Sequence, residues 1–142
     1  MKDAWTRTSF RAEATPLGEM RLIRFVGGTF EGDDLRGLLL PGGTDWQQVR
    51  ADGALEIRAH YLLQIDRGET IEVISEGLRD ASPDVLARMA RGEMVDPAEY
   101  YFRTHIRLRI ASERIAHLNR LLALSFGSRR ARSVHLPVFA VP

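Results

Sequence analysis

The sequence predicts an all-β fold, a small antiparallel β-barrel of about eight to ten strands with one or two short helices. Three observations carry that prediction. Glycines at Gly27-Gly28, Gly32, Gly37, Gly42-Gly43, Gly53 and Gly68 cut the first half of the chain into segments of strand length. Residues 55–65 alternate strictly, with Leu55, Ile57, Ala59, Tyr61, Leu63 and Ile65 on one face and Glu56, Arg58, His60 and Gln64 on the other, broken only by Leu62. Residues 100–110 repeat the pattern, with Phe102, Thr104, Ile106, Leu108 and Ile110 opposing Tyr101, Arg103, His105, Arg107 and Arg109.

Taken in order, the chain opens on MKDAWTRTSFRAE, which holds no apolar stretch long enough for a signal sequence. No later run approaches a membrane span, and a cytoplasmic protein is expected. Two similar stretches, GGTFEGDDLRG and GGTDWQQVRADG, read as consecutive hairpins rather than as a repeat. Asp66-Arg67-Gly68 turns the 55–65 strand into a partner over 70–75, where Ile71 and Val73 share a face. One helix follows. Ser82 suits its N-cap, Pro83 its first position, Asp84 its positive end and Gly92 its stop. Its apolar stripe, Val85, Leu86 and Met89, needs a partner surface inside the chain or between chains, and a homodimer is the expectation. A short helical turn over 113–118 and strands over 120–126 and 133–141 complete one barrel domain over residues 1–142.

Composition narrows the function classes. With 142 residues, 44% hydrophobic and 27% charged, the chain can bury an ordinary core. It has no cysteine, which removes disulfides, thiolate nucleophiles and the common zinc clusters. A net charge of +1 gives no field to attract nucleic acid or an anionic membrane, so neither partner is expected. There is no Walker-type loop, dinucleotide fingerprint or His-x-x-x-His pair, and no cofactor or metal is expected.

The run Gly27-Gly28-Thr29-Phe30-Glu31-Gly32, then Leu35-Arg36-Gly37, then Pro41-Gly42-Gly43-Thr44-Asp45-Trp46-Gln47 resembles the bacterial domain-of-unknown-function family 3237. Arg50 with Asp52-Gly53, Tyr61, Gly68, Gly77 with Arg79, Tyr100-Tyr101-Phe102-Arg103-Thr104 and Leu118-Asn119 continue the likeness, which covers about Gly27 to Val141. The resemblance implies a small antiparallel β-barrel; it does not imply an activity. Arg58, His60, His105 and His117 depart from the family pattern at their positions.

The candidate site follows from these residues. Asp45 and Trp46 leave a diglycine turn, so Asp45 serves either as a base or as a tie for turn amides, and Trp46 as an aromatic wall or an end plug. Imidazole is the side-chain group suited to proton transfer near neutral pH, which makes His60 and His105 candidates. Asp45 and His60 are therefore the catalytic candidates, and Trp46, Arg58, Tyr101, Arg103 and His105 the substrate-binding ones. The alternation leaves two parities open. Either the polar faces line the lumen, or they are solvated and Tyr61, Phe102 and Thr104 look inward, the arrangement that apolar burial favours for most of each strand; a mixed arrangement has an apolar floor with polar residues converging near one mouth. The expected function is a barrel that binds a small oxygenated or aromatic molecule, with cofactor-independent isomerase, cyclase or lyase chemistry. The alternatives are a carrier barrel without chemistry and a dimeric interaction protein. The sharpest expectation is geometric: Asp45, His60 and Arg103 meet in one cavity lined by Trp46 and Tyr101.

Overall fold

The structure, a computed structural model, describes the backbone of residues 2–142 and the side chains from Thr15 onward. Ten strands form one antiparallel sheet: β1 (Lys2–Thr15), β2 (Gly18–Glu31), β3 (Arg36–Leu39), β4 (Thr44–Val49), β5 (Leu55–Ile65), β6 (Thr70–Ala81), β7 (Tyr100–Ile110), β8 (Leu122–Phe126), β9 (Ser128–Arg129) and β10 (Ser133–Val141). The order β1-β10-β8-β7-β6-β5-β3-β2-β4, with added β1–β2 and β4–β5 pairs, closes the sheet into a barrel.

β3 and β4 lie end to end between β2 and β5, as one strand interrupted at residues 40–43. The interruption needs glycine. Gly42 has φ +99°, and a Cβ on Gly43 would lie 2.5 Å from the Tyr61 Cβ. A barrel of this width has an interior that side chains fill.

The alternation read from sequence sets which face is inside. Every second residue of β5, from Leu55 to Ile65, is buried, and so is every second residue of β7, from Tyr100 to Ile110. Tyr61 packs edge-on against Phe25 at 5.4 Å between ring centroids, in a core shared with Ile23, Leu63, Ile71, Val73 and Ile106. Each such aliphatic side chain contributes about 1.5–3 kcal/mol by leaving water.

Helix α1 (Pro83–Ala90) is capped by Ser82, whose hydroxyl accepts from the Val85 N–H at 3.3 Å. Val85 and Met89 are buried in the barrel's own core, so the stripe that prompted the homodimer expectation finds its partner within the chain. A 3-10 segment (Glu113–Arg120) packs Ile115 and Leu118 on the core. Asn119 fastens it: the side-chain amide donates to the Ile110 carbonyl and accepts from the Ile110 N–H, both at 2.8 Å. This is what the Leu118-Asn119 pair does.

Three elements differ from the sequence expectation. β6 runs to Ala81 rather than stopping at 75, because it stays paired with β7 through Ala81↔Tyr100. Gly27-Gly28 lies within β2 and not in a turn, so the two glycine-rich stretches are not equivalent. The long β1–β2 hairpin escapes a period-2 reading, because register shifts between Thr6 and Arg7 and between Arg7 and Ser9 reset its parity. Among the described residues no helix is long and apolar enough to cross a membrane.

Candidate functional site in the barrel lumen

Asp45 and Trp46 are consecutive in an extended strand, so they leave the wall on opposite sides. Asp45 points inward and is 1% exposed, whereas Trp46 points outward and is 48% exposed. The ladders then fix which residues share the Asp45 level. Asp45 pairs with Ala59, Ala59 with Ser75, and Ser75 with Ile106. One step along, Gln47 pairs with Ile57, Ile57 with Gly77, Gly77 with Thr104, and Thr104 with Ser125. A further step pairs Arg79 with Phe102.

These rows gather six buried polar side chains inside the wall: Asp45, Gln47, Ser75, Arg79, Thr104 and Ser125. The Gln47 amide donates to Asp45 Oδ2 at 2.6 Å, and the Thr104 and Ser125 hydroxyls bond each other at 2.6 Å. The Arg79 guanidinium carbon lies 5.9 Å from the Phe102 ring centroid. Asp45, Gln47, Ser75, Arg79, Phe102 and Thr104 face a common void of about 10 Å³, room for one water-sized group. Gly77 allows the close approach of β6 and β7 at this level, since a Cβ there would lie 2.0 Å from the Arg103 carbonyl oxygen. A carboxylate and a guanidinium turned into one lumen each lose several kcal/mol of hydration, which partners inside must offset.

The void adjoins a seam in the wall. Val134 lines it, and the β1–β10 ladder ends one residue away, at Thr6↔Ser133, where β1 bulges. β10 itself begins at Ser133, and β1 runs on past that point paired with β2.

The other proposed site residues lie outside, and the expected convergence is corrected. His60 pairs with Thr44 in β4 and points outward, where its Nε2 meets Glu72 Oε2 at 3.0 Å. Arg103 lies along the outer wall, its guanidinium 4.5 Å from the Phe126 ring centroid and 5.2 Å from that of Tyr101. His105 stands 3.9 Å from Glu76 on the same side. Trp46 and Arg58 are cross-strand neighbours that flank a shallow outer groove of about 370 Å³. The reason is parity: on β5 and β7 the inner face is apolar except for Thr104, so the alternate polar side chains of those strands lie on the outer wall. Of the residues proposed from sequence, Asp45 alone reaches the lumen.

Gln47, Ser75, Arg79 and Ser125 were not among the sequence candidates. Extending the Ile71-Val73 alternation places Ser75 and Arg79 on the inner face, and the Asp45-x-Gln47 spacing places both on one side. Thr104 follows from the inward-apolar parity.

The family model described as "Protein of unknown function (DUF3237)" matches residues 6–141. A UPF0311 protein of Rhodopseudomonas palustris is 31% identical over 145 residues, 99% of this chain and 95% of the relative. Its crystal structure, of a conserved protein of unknown function, superposes with a TM-score of 0.93 over 99% of this chain and 93% of that one. A crystal structure of a β-barrel-like protein from Acinetobacter baumannii is 31% identical, with a TM-score of 0.86 over 99% and 92% of the two chains. A structure described as an enzyme from Penicillium herquei shares 19% identity, with a TM-score of 0.69 over 98% and 91%, a likeness that shows the fold.

Proposed function

The chain belongs to the DUF3237 family, whose description assigns no activity, and we propose that its barrel binds a small oxygenated organic molecule at the Asp45–Arg79 face of the lumen and moves a proton on it without a cofactor. The observation that carries this reading is the polar lining. Asp45, Gln47, Ser75, Arg79, Thr104 and Ser125 are all buried on three adjacent rows of an otherwise apolar interior, where a purely structural barrel is better served by apolar side chains. A protein of the same fold is described as an enzyme.

In this reading the Asp45 carboxylate takes a proton from a carbon next to a substrate carbonyl. The C–H electron pair shifts into that carbonyl, and the resulting enolate oxygen accepts hydrogen bonds from Arg79. Return of the proton to a different atom completes an isomerisation, or sets up ring closure or loss of a leaving group. Gln47 holds Asp45 in place through its 2.6 Å hydrogen bond. The void takes the reacting group alone, so the lumen has to widen to admit the rest of the molecule.

The test uses small aromatic ketones and hydroxy acids as probes. Some should raise the melting temperature of the native protein, and in D₂O their acidic C–H should exchange in its presence. Asp45→Asn keeps an acceptor for Gln47 and should abolish exchange while leaving the thermal shift. Arg79→Gln should lose both. If no probe shifts melting and none exchanges, the lumenal site does not exist.

A second reading, a packed barrel that acts through its outer wall alone, draws support from the small volume of the void. It predicts that the same probes leave the native protein unmoved.

A further inference from the structure

The outer wall is charged on one side and apolar on another. Around β5, Glu56, Arg58, His60 and Gln64 face water in the ordinary way. On β8 the outward residues are Leu122, Leu124 and Phe126, and on β10 they include Phe139 and Val141. The ladder makes these contiguous, with Phe139 opposite Leu124 and Val141 opposite Leu122. Phe126 and Phe139 meet edge to face at 5.6 Å. Arg103, opposite Phe126 on β7, lies flat between it and Tyr101 rather than extending into solvent, and Leu78 adjoins Arg103 from β6.

Seven of the thirteen exposed large hydrophobic side chains among the described residues therefore fall on one sector: Leu78, Tyr101, Leu122, Leu124, Phe126, Phe139 and Val141. At exposures between 39% and 56%, they present on the order of 700 Å² of mostly apolar surface, above the 300–600 Å² of the largest patch on a typical monomer. A stable two-chain interface hides about 800 Å² on each partner. The patch thus approaches the half-interface a dimer needs, with Glu76, His105 and Arg107 beside it to complete a polar rim.

We propose that this β6–β7–β8–β10 wall is a homodimer interface, packed against the same wall of a second copy of the chain. A two-fold contact brings a patch against itself, so a patch of one charge sign opposes it. This sector carries both signs, with Glu76 against His105 at its rim and Arg103 among the apolar side chains, its guanidinium lying on the Tyr101 and Phe126 rings. The flat Arg103, already stacked on two aromatic rings, loses little side-chain entropy on contact. The inference is independent of any lumenal ligand.

Sedimentation velocity of the full chain at tens of micromolar tests it. The native protein should sediment as a dimer. Leu124→Glu and Phe139→Glu, each with a far-ultraviolet circular dichroism spectrum matching the native one, should weaken the dimer by about thirtyfold or more, as central contact residues do. Should either fail to fold, the milder Leu124→Gln and Phe139→Gln read the same contact. Leu62→Glu, at a 42% exposed apolar position on the β5 wall, should leave the dimer intact. A monomeric native protein, a dimer indifferent to every β8 and β10 substitution, or a dimer lost equally through Leu62→Glu would each overturn the assignment.

Discussion

Two regions of this barrel break the same rule in opposite directions. Inside, around Gln47 and Thr104, polar side chains stand where the remaining interior is aliphatic and aromatic. Outside, on β8 and β10, large apolar side chains stand where the β5 wall is charged. Buried polar groups cost free energy unless bonded, and exposed apolar groups cost free energy unless covered. In the first region Gln47 bonds Asp45 and Thr104 bonds Ser125, and the proposed substrate would add to those bonds; in the second, the proposed partner copy would cover the apolar side chains. The same β7 strand serves both, with Thr104 on one face and Arg103 on the other, so a period-2 strand keeps the two proposed surfaces apart with a single wall between them.

The largest effect that would break the comparison is steric. Gly77→Ala puts a Cβ against the Arg103 carbonyl, and backbone cannot yield there as a flexible side chain would. We expect a loss of about 3 kcal/mol, the upper end for overpacking, measured by urea denaturation. Because β7 must move, Thr104 and Arg103 move with it, so probe binding and dimerisation should weaken together. A Gly77→Ala protein with native stability would show that β6 and β7 do not fix the two surfaces.

A finer cut separates structure from function in the lumen. Ser125→Ala alone leaves the Thr104 hydroxyl without its 2.6 Å partner and should cost about 1–3 kcal/mol. Thr104→Val with Ser125→Ala removes both hydroxyls and should recover most of that loss. The double variant would then have a near-native denaturation midpoint with weakened probe binding. If it instead binds probes as the native chain does, this pair is only a structural bond.

Much of the barrel was legible in the sequence, because β5 and β7 carry uninterrupted alternations and one buried face admits only one parity. The site was less legible. Asp45 was found through its turn, but Trp46 was grouped with it, although neighbours in a strand point apart. His60, Arg58, Arg103 and His105 drew attention as chemically able side chains on strongly polar faces, and that polarity is what solvates them. Arg79 lay within the run that carried the family resemblance, yet a strand ended at 75 hid that it shares a face with Ile71 and Val73. The apolar outer wall was hidden too. The 121–126 stretch reads as Leu-Leu-Ala-Leu-Ser-Phe, nearly apolar throughout, and only the inward Ala123 and Ser125 show that its larger residues face out.

On the outer wall, the monomer should be indifferent to charge. Leu124 is 44% exposed, so Leu124→Gln, compared with the native chain under dilute conditions where both are monomeric, should change unfolding free energy by no more than about 0.5 kcal/mol. A larger loss would mean that Leu124 packs within its own chain, and the contrast with the β5 wall would shrink accordingly.

The smallest effect calibrates the comparison against ordinary surface chemistry. Asp52 sits in the turn below β4, where Oδ1 accepts from the Ala54 N–H at 3.1 Å and Oδ2 accepts from the Arg50 guanidinium. The Ala54 amide, more than the Arg50 charge, holds its carboxyl below the usual aspartate value, against a partial opposing effect of desolvation. A folded value below the unfolded one means that this carboxylate stabilises the fold above the unfolded pKa, near 3.9. The contribution fades as pH falls through the lower folded value. Asp52→Asn keeps an acceptor for Ala54 but discards the charge, so its urea midpoint should fall slightly below the native one at pH 7. The two midpoints should converge in strong acid. At neutral pH the difference should be smaller than that of Ser125→Ala, because an exposed pair is screened by water and salt. If Asp52→Asn proved the more damaging, a solvated turn would outweigh a buried hydroxyl pair, and the lumen would lose its standing as the unusual region of the molecule.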